Sequence, residues 1–170
     1  MAILTQSGRA AMAAAIVQLP IHLAWGTGLP EWDSDPDPES TQAVGLVNEI
    51  GRRKLTLWQF ITPDDENGTI TVNDVDDPTI THKFSPSPDN APTNFLFLLF
   101  NFDLADAPAA TIREVGIFVN TVTDPELPEG QRYFTPDQII DPGILLALER
   151  IPFFNRQPSV RQTFEQIIEI

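Results

Sequence analysis

Residues 94–102 read Asn-Phe-Leu-Phe-Leu-Leu-Phe-Asn-Phe, the most apolar run of the chain, and they contain no charged side chain. The run is short and rich in phenylalanine, which favours a β-strand over a buried helix. A strand that is apolar on both sides is typical of the interior of a sheet. We therefore predict that residues 94–102 form a central strand that is packed on both faces.

Shorter segments on either side of this run also have the periodicity or the boundaries of strands. The predicted strands are residues 21–25, 52–62, 69–72, 79–84, 112–119, 144–149 and 163–170. Residues 64–68, Asp-Asp-Glu-Asn-Gly, predict a turn between two strands because Asn-Gly tolerates positive φ. Residues 42–51 predict a short helix.

The clearest helix lies at the N-terminus. Thr5 can cap a helix over residues 6–18, which are rich in alanine. Pro20 ends it, because the residue before a proline is pushed out of the helical region. The apolar side chains at spacings of four and three are predicted to share one face, formed by Met12, Ile16 and Leu19.

These segments together predict an α+β fold of one domain, residues 1–170, with a helix within residues 1–19. The helix would pack on a mixed, mainly antiparallel β-sheet or a small sandwich with long proline-rich loops. The 16 prolines favour such loops over long helices, since each fixes φ and removes an amide donor. Residues 120–143 predict a proline-rich insertion loop or docking arm, because a stiff segment loses little entropy on binding.

The charge balance limits the classes of partner. The chain has 24 acidic and 10 basic residues, a net charge of -14, which disfavours binding to nucleic acid or to an anionic membrane surface. No apolar run approaches the ~20 residues of a membrane-spanning helix, and the N-terminus lacks the basic and apolar regions of a secretory signal. The absence of cysteine excludes disulfides, thiolate metal sites and thiol catalysis.

Few residues suggest catalysis. The two histidines, His22 and His82, belong to no nucleophile or metal motif, and we expect His22 to be a hydrogen-bonded structural residue on the polar side of its strand. Residues 26–28, Gly-Thr-Gly, lack the third glycine of a dinucleotide site and predict a turn. We therefore expect a non-enzymatic protein without a cofactor.

Acidic runs are the remaining candidates for ion binding. Carboxylates alternate along residues 33–39, Asp-Ser-Asp-Pro-Asp-Pro-Glu, and could converge on a hard cation. The prolines hold this segment extended, however, which favours a solvated loop without metal. Residues 64–66 and 74–77 are interpreted in the same way, as solvated turns.

Aromatic side chains offer another class of site, since flat rings can stack on sugars. Trp25 and Trp58 suit the core, whereas Trp32, in an acidic loop, is predicted to be exposed. Trp32 with Tyr133 thus leaves a carbohydrate-binding module that recognises host surface glycans as an alternative function. A glycosidase with paired carboxylates is a third, although no two acidic residues stand out.

Several stretches resemble the N-terminal anchoring domain of myophage tail-fibre and tail-collar fibre proteins. The most specific is residues 112–118, in which Ile112, Arg113, Glu114, Gly116 and Phe118 fit the family's motif. Earlier matches are residues 5–14, an alanine-rich helix that opens with Thr-Gln-Ser-Gly; residues 25–30, which contain Trp25, Gly26 and Gly28; and residues 49–52, which end at Arg52. Later matches are residues 145–148 and 160–168.

The resemblance implies a structural virion protein of a contractile phage tail, assembled in the host cytoplasm and located at the baseplate periphery. The family's fibres continue into a long shaft that does not follow residue 170 here, which favours a baseplate-peripheral adaptor or fibre base that attaches tail fibres to the baseplate. The implied partners are baseplate wedge proteins, a tail-fibre protein and further copies of the chain in a homotrimer. Candidate contacts with a partner are Trp32, Tyr133 and Phe134.

Arg113 and Glu114 invite a physical interpretation of their own. Neighbours on a strand point to opposite sides of a sheet, so one of the two charges is directed to the interior or to a subunit contact, where it needs a partner. We expect an acidic partner for Arg113 and Arg52 or Arg53 as the partner of Glu114. A structural ion pair and a contact with a neighbouring subunit both remain open.

Overall fold

The protein is mostly β. A computed structural model describes residues 2–73, 79–107 and 109–170, so the acidic run predicted as a turn at residues 74–77 lies outside the described part. The elements are, in chain order, helix α1 (Gln6–Ile16) and strands β1 (Ile21–Gly26), β2 (Glu49–Lys54), β3 (Leu57–Pro63), β4 (Ile70–Asn73), β5 (Thr81–Pro86), β6 (Phe95–Phe102), β7 (Ala110–Val119), β8 (Val122–Thr123), β9 (Tyr133–Phe134), β10 (Ile139–Asp141), β11 (Ile144–Arg156) and β12 (Gln162–Glu169).

The expected α+β fold, a helix packed on a sheet with long proline-rich loops, is wrong. Strand accounts for 46% of the described residues and helix, with the 3-10 turns included, for 13%. Prolines that were expected to break the chain into loops instead lie at the ends of strands, as Pro63 and Pro86 do, or begin 3-10 turns, as Pro30 and Pro136 do. A proline is tolerated in both places because its missing amide is not needed there.

The chain divides into two compact units. The first comprises Met1–Gln18, Leu57–Leu99 and Glu165–Ile170, and the second comprises Leu19–Thr56 and Phe100–Phe164. Both units are formed by segments that are distant in sequence, and the single domain over residues 1–170 stays a prediction.

Helix α1 belongs to the first unit and begins as predicted. The Thr5 hydroxyl caps it by accepting a hydrogen bond from the Gly8 amide at 3.2 Å. The apolar face that was predicted is not the buried one, because Met12 is 48% and Leu19 39% exposed, whereas Ala13 is fully buried. The helix ends at Ile16, so Leu19 is not on it, and it buries a small side chain instead of long ones.

A five-stranded sheet with the order β12-β6-β3-β5-β4 forms most of the first unit. The apolar strand β6 lies between two neighbours, as residues 94–102 predicted. The hydrophobic core of this unit contains Ile61, Phe84 and Phe97, which pack against one another. The predicted turn at residues 64–68 is present, with the Gly68 amide bonded to the Asp64 carbonyl at 2.8 Å.

A second five-stranded sheet, in the order β11-β7-β1-β2-β9, lies wholly in the second unit, beside the two-stranded sheet β10-β8. Its central strand β1 is buried along its whole length. The Trp25 ring stacks on Phe102 with centroids 3.6 Å apart. The strand predicted over residues 52–62 is in fact two strands, β2 and β3, which belong to different sheets.

The short helix predicted over residues 42–51 is also wrong. These residues form an irregular segment that runs into β2, and their backbone groups bond to distant strands and turns. The Thr27 amide donates to the Asn48 carbonyl at 3.2 Å and the Gly28 amide to the Val47 carbonyl at 3.1 Å. Such tertiary bonds replace the local ones that a helix would have made.

Candidate interaction site

The motif at residues 112–118 lies on β7, between β1 and β11 in the second unit. Glu114, Gly116 and Phe118 alternate along the strand and therefore share one face. On β1 they pair with Gly26, Ala24 and His22, respectively. The motif is thus the middle of the sheet and not a free surface.

Glu114 is 1% exposed, and its carboxylate accepts a hydrogen bond from the Val47 amide. Burial raises the pKa of Glu114, while the Val47 hydrogen bond and the charge of Arg150 act in the opposite direction. Neither predicted partner is used, since Arg52 pairs with Glu49 and Arg53 with Asp106. The carboxylate instead accepts from a backbone amide of the irregular segment before β2, so this amide has a hydrogen-bond partner.

Two glycines make room for this arrangement. A Cβ atom on Gly26 would lie 2.6 Å from Cγ of Glu114, so the carboxylate passes directly over the glycine. A Cβ on Gly116 would lie 2.9 Å from Leu46 Cδ2 and 3.0 Å from Leu145 Cδ1. Both positions require glycine because the irregular segment and the Glu114 side chain lie against the sheet.

Arg113 points to a different set of partners. Its Nε donates to Asp33 Oδ1 at 2.6 Å and its Nη2 to Asp33 Oδ2 at 3.0 Å. Nη1 donates to the Thr27 carbonyl at 3.0 Å. The hydrogen bond from Arg113 lowers the pKa of Asp33. The expected acidic partner of Arg113 is thereby confirmed.

Gly28 lies against the Trp32 ring and the Arg113 side chain. Its φ of +56° is in the left-handed region, and a Cβ there would lie 2.5 Å from two carbons of the Trp32 ring. The turn predicted for residues 26–28 therefore serves to bring the indole of Trp32 close to the backbone.

Trp32 is 8% exposed, so the prediction that it is exposed is wrong. Its Nε1 donates to Asp37 Oδ2 at 3.0 Å, and the Arg150 guanidinium lies 4.0 Å from the ring centroid. Arg150 also donates to the Asp37 carbonyl through Nη1 and, through its backbone amide, to Glu39 Oε1 at 2.9 Å. The indole is covered because a cation from β11 stacks on its face.

We call residues 29–41 the acidic loop. Within it, residues 33–39 are exposed, as expected of a solvated loop, but side chains of the loop are also bonded to neighbouring strands. The loop begins with a 3-10 turn at Pro30–Asp33 and is tied to β7 by Asp33 and to β11 by Asp37 and Glu39. Among residues 2–73, 79–107 and 109–170, no three His, Asp or Glu side chains form a group that could hold a metal ion.

A recess of about 380 Å³ lies between the acidic loop and β11. Its lining includes Trp32, Pro36, Arg113, Arg150, Ile151 and Pro152. The volume lies at the lower end of the roughly 300–1,000 Å³ that is usual for binding pockets. Arg113, from the motif at residues 112–118, is part of this lining.

Arg52 on β2 forms a second set of hydrogen bonds between the sheet and its loops. Nε and Nη2 bond to the Glu49 carboxylate at 2.6 and 3.0 Å, and Nη1 bonds to Thr121 Oγ1 at 3.1 Å and to the Pro142 carbonyl at 2.6 Å. Its guanidinium lies 3.6 Å from the Phe118 ring centroid. The Glu-x-x-Arg pattern of residues 49–52 is therefore a buried ion pair that also holds both ends of the proline-rich insertion.

Residues 120–143, predicted as a docking arm, join the sheet through β9. Phe134 is 3% exposed, and the Tyr133 hydroxyl donates to the Ile50 carbonyl at 2.9 Å. Burial raises the pKa of Tyr133. Trp32 and Phe134 are thus buried within the chain and Tyr133 is half-buried, which disfavours the exposed aromatic platform of the carbohydrate-binding alternative.

His22 differs from its prediction as well. It is 1% exposed, and neither ring nitrogen has a hydrogen-bond partner in the described part of the chain. Burial first, and then the charges of Lys54 and Arg52, lower its pKa to about 4. The ring packs edge-on against Phe134 with centroids 5.6 Å apart, so it behaves as an apolar core residue.

Sequence reasoning missed two members of the site, Arg150 and Val47. Arg150 lies in a strand that was predicted only to residue 149, and Val47 contributes a backbone amide, which no side-chain pattern can reveal. The only available signal for Arg150 was its place next to a run of apolar residues, where a cation must find a partner.

A family model described as "Baseplate wedge 3 tail fiber network component" matches residues 1–170. The chain belongs to this family. It is therefore a component of a phage baseplate and tail-fibre network, and its place is the tail of the virion. The comparison with curated proteins finds no relative. No helix in the described part of the chain is long and apolar enough to cross a membrane.

Proposed function

We propose that this baseplate wedge family member is a connector: a non-enzymatic, baseplate-peripheral adaptor or fibre base that attaches tail fibres to the baseplate of a contractile tail. The observation that carries the proposal is the match of the family to all of residues 1–170, together with the resemblance of residues 112–118 to fibre-anchoring domains.

The packing of the second unit supports a mechanical role. Three arginines from different strands, Arg52, Arg113 and Arg150, each hold a loop against the sheet. Charge-assisted and bidentate bonds of this kind fix geometry more strongly than neutral ones. A part that transmits load between neighbours needs loops that keep their position, and this arrangement provides them.

The partners in this proposal are a baseplate wedge protein on one side and a tail-fibre protein on the other, with the chain as a homotrimer assembled in the host cytoplasm. Light scattering of the purified chain tests the oligomeric state. A mass near three times 18.9 kDa is expected, and the mass of a monomer would contradict the trimer.

Deletion of the gene in the phage tests the connector function. Electron microscopy of the resulting tails is expected to show baseplates without attached fibres, and complementation with the intact gene is expected to restore them. Fibres that remain attached in the deletion mutant would contradict the connector function, whatever the oligomeric state.

A further inference from the structure

The recess beside Arg113 has features of a docking surface that the connector function leaves unassigned. Arg150 of β11 pairs with Glu114 of β7, and Phe154 pairs with Ile112. Three residues of β11, 151–153, therefore stand opposite Arg113 alone. The bulge accommodates Pro152, which has no amide to donate to the ladder.

The bulge exposes apolar groups beside the recess. Phe153 is 50% exposed, and Ile151 and Pro152 form part of the recess lining together with Pro36 of the acidic loop. β11 is an edge strand, and proteins protect such edges when no partner covers them. Here a large aromatic side chain is presented instead.

Both arginines of the recess are held by groups of the acidic loop. The Arg113 guanidinium is bound to both oxygens of Asp33, and the Arg150 guanidinium stacks on Trp32 and bonds to the Asp37 carbonyl, although its Nε is buried without a hydrogen-bond partner in the described part of the chain. The apolar walls of the recess are Pro36, Ile151 and Pro152.

The acidic loop, which contributes Trp32, Asp33, Ser34 and Pro36 to the recess lining, carries further negative charge at its rim. Glu31 and Asp35 are exposed members of the acidic loop, and no lysine or arginine occurs in residues 29–41. The whole chain has a net charge of -14, so a second copy would bring like charge to this rim. A partner with lysine or arginine is complementary to it.

We propose that the recess binds an extended basic segment of a neighbouring tail protein, which places an aliphatic or proline side chain between Pro36 and Pro152 and its lysine or arginine side chains against Glu31 and Asp35. The inference rests on the proposed connector function, and it assigns one of the two connections to this surface.

A photo-cross-linking amino acid at position 153, in complete tails, tests the occupant. Mass spectrometry of the cross-linked peptide is expected to identify a segment of another tail protein that contains lysine or arginine. The control is the same cross-linker at position 80, because Ile80 is exposed to a similar degree, 47%, and lies in the first unit. A cross-link from position 153 to a second copy of the chain or to an acidic segment, or none at all, would overturn the proposal.

Charge reversal tests the rim. The double variant Glu31→Lys, Asp35→Lys is expected to reduce the yield of that cross-link by about tenfold, since like charges then face each other. The matched control is Asp65→Lys, Glu66→Lys in the turn after β3, which makes the same change in net charge at exposed residues of the first unit. Equal cross-link yields in both double variants would overturn the proposal. Loss of fibre attachment in the deletion mutant would still support the connector function.

Urea unfolding of both double variants shows that they fold. All four side chains are exposed, and exposed substitutions usually change the free energy of unfolding by no more than about 0.5 kcal/mol. A reduced cross-link in a variant with the normal unfolding midpoint therefore reports on the surface itself.

Discussion

The carboxylate of Glu114 lies over Gly26, its pairing partner on the neighbouring strand, in the space that a side chain at position 26 would occupy. From there it reaches the Val47 amide. The motif at residues 112–118 on β7 and the glycine turn at the end of β1 therefore pack against each other.

Gly26→Ala is expected to lower the free energy of unfolding by about 1–3 kcal/mol, because the added methyl group would overlap the Glu114 side chain. Urea unfolding measures the change. Gly45→Ala is the matched control, since a Cβ at Gly45 meets nothing within 4 Å, and its effect is expected to stay within about 0.5 kcal/mol.

A double-mutant cycle identifies the cause of that loss. If Glu114 is the group that the methyl meets, Gly26→Ala is expected to cost less in a Glu114→Ala background than in the parent. Equal costs in the two backgrounds would mean that another neighbour is responsible.

Glu114→Gln is expected to change how stability depends on pH. The pKa of Glu114 is raised in the folded protein, so the folded chain holds this proton more tightly than the unfolded chain does, and the free energy of unfolding falls as the pH rises through the raised pKa. Glutamine keeps the acceptor for Val47 but cannot ionise. The stability of Glu114→Gln relative to the parent is therefore expected to increase between pH 4 and pH 8.

Urea titrations at several pH values measure this difference. Glu129→Gln, at an exposed residue of the insertion, is the control and is expected to give a difference that does not depend on pH. The same flat result for Glu114→Gln would contradict the prediction.

His22 contributes a pH dependence of the opposite sign. Its pKa is lowered from 6.5 to about 4, so between these values the unfolded chain binds more protons and stability falls as the pH falls. From 6.5 to about 4, at about 1.4 kcal/mol for each pH unit, the full loss is about 3–4 kcal/mol. His22→Leu is expected to remove this component, as calorimetry from pH 7 to pH 4 would show.

The other histidine is the control for this experiment. His82 is exposed, and His82→Leu is expected to retain the acid-induced loss of the parent. A loss of unchanged size in His22→Leu would show that other groups cause the acid sensitivity.

Arg113→Lys is expected to loosen the acidic loop, because a lysine cannot bind both oxygens of Asp33 and the Thr27 carbonyl at once. A protease that cleaves before aspartate is expected to cut the loop at Asp35 faster in this variant than in the parent. Arg161→Lys, which changes a pair with Asp103 that is 75% and 53% exposed, is the control and is expected to leave the rate unchanged. Equal rates in both variants would contradict a clamping role for Arg113.

Local sequence predicted the elements whose signal is complete within about ten residues. The Phe-rich run gave β6, alternation gave β7, and the cap at Thr5 gave the start of α1. These elements depend on side-chain periodicity or on one nearby hydrogen bond, both of which can be read from neighbours in the chain.

The assignment of strands to sheets could not be predicted in the same way. β2 and β3 are separated by two residues, yet they belong to different sheets, so one apolar stretch was interpreted as one strand. The preference for a sheet depends on packing partners, and local propensity carries little information about them.

The candidate site shows the same division between local chemistry and the folded chain. Charge and strand alternation were enough to single out Arg113 and Glu114 as groups that must find partners. Only the fold determined those partners, because Asp33 is 80 residues from Arg113, Val47 is 67 residues from Glu114 and the cation that covers Trp32 comes from β11. Contacts over such distances form when the sheet closes, and no pattern within a single segment encodes them.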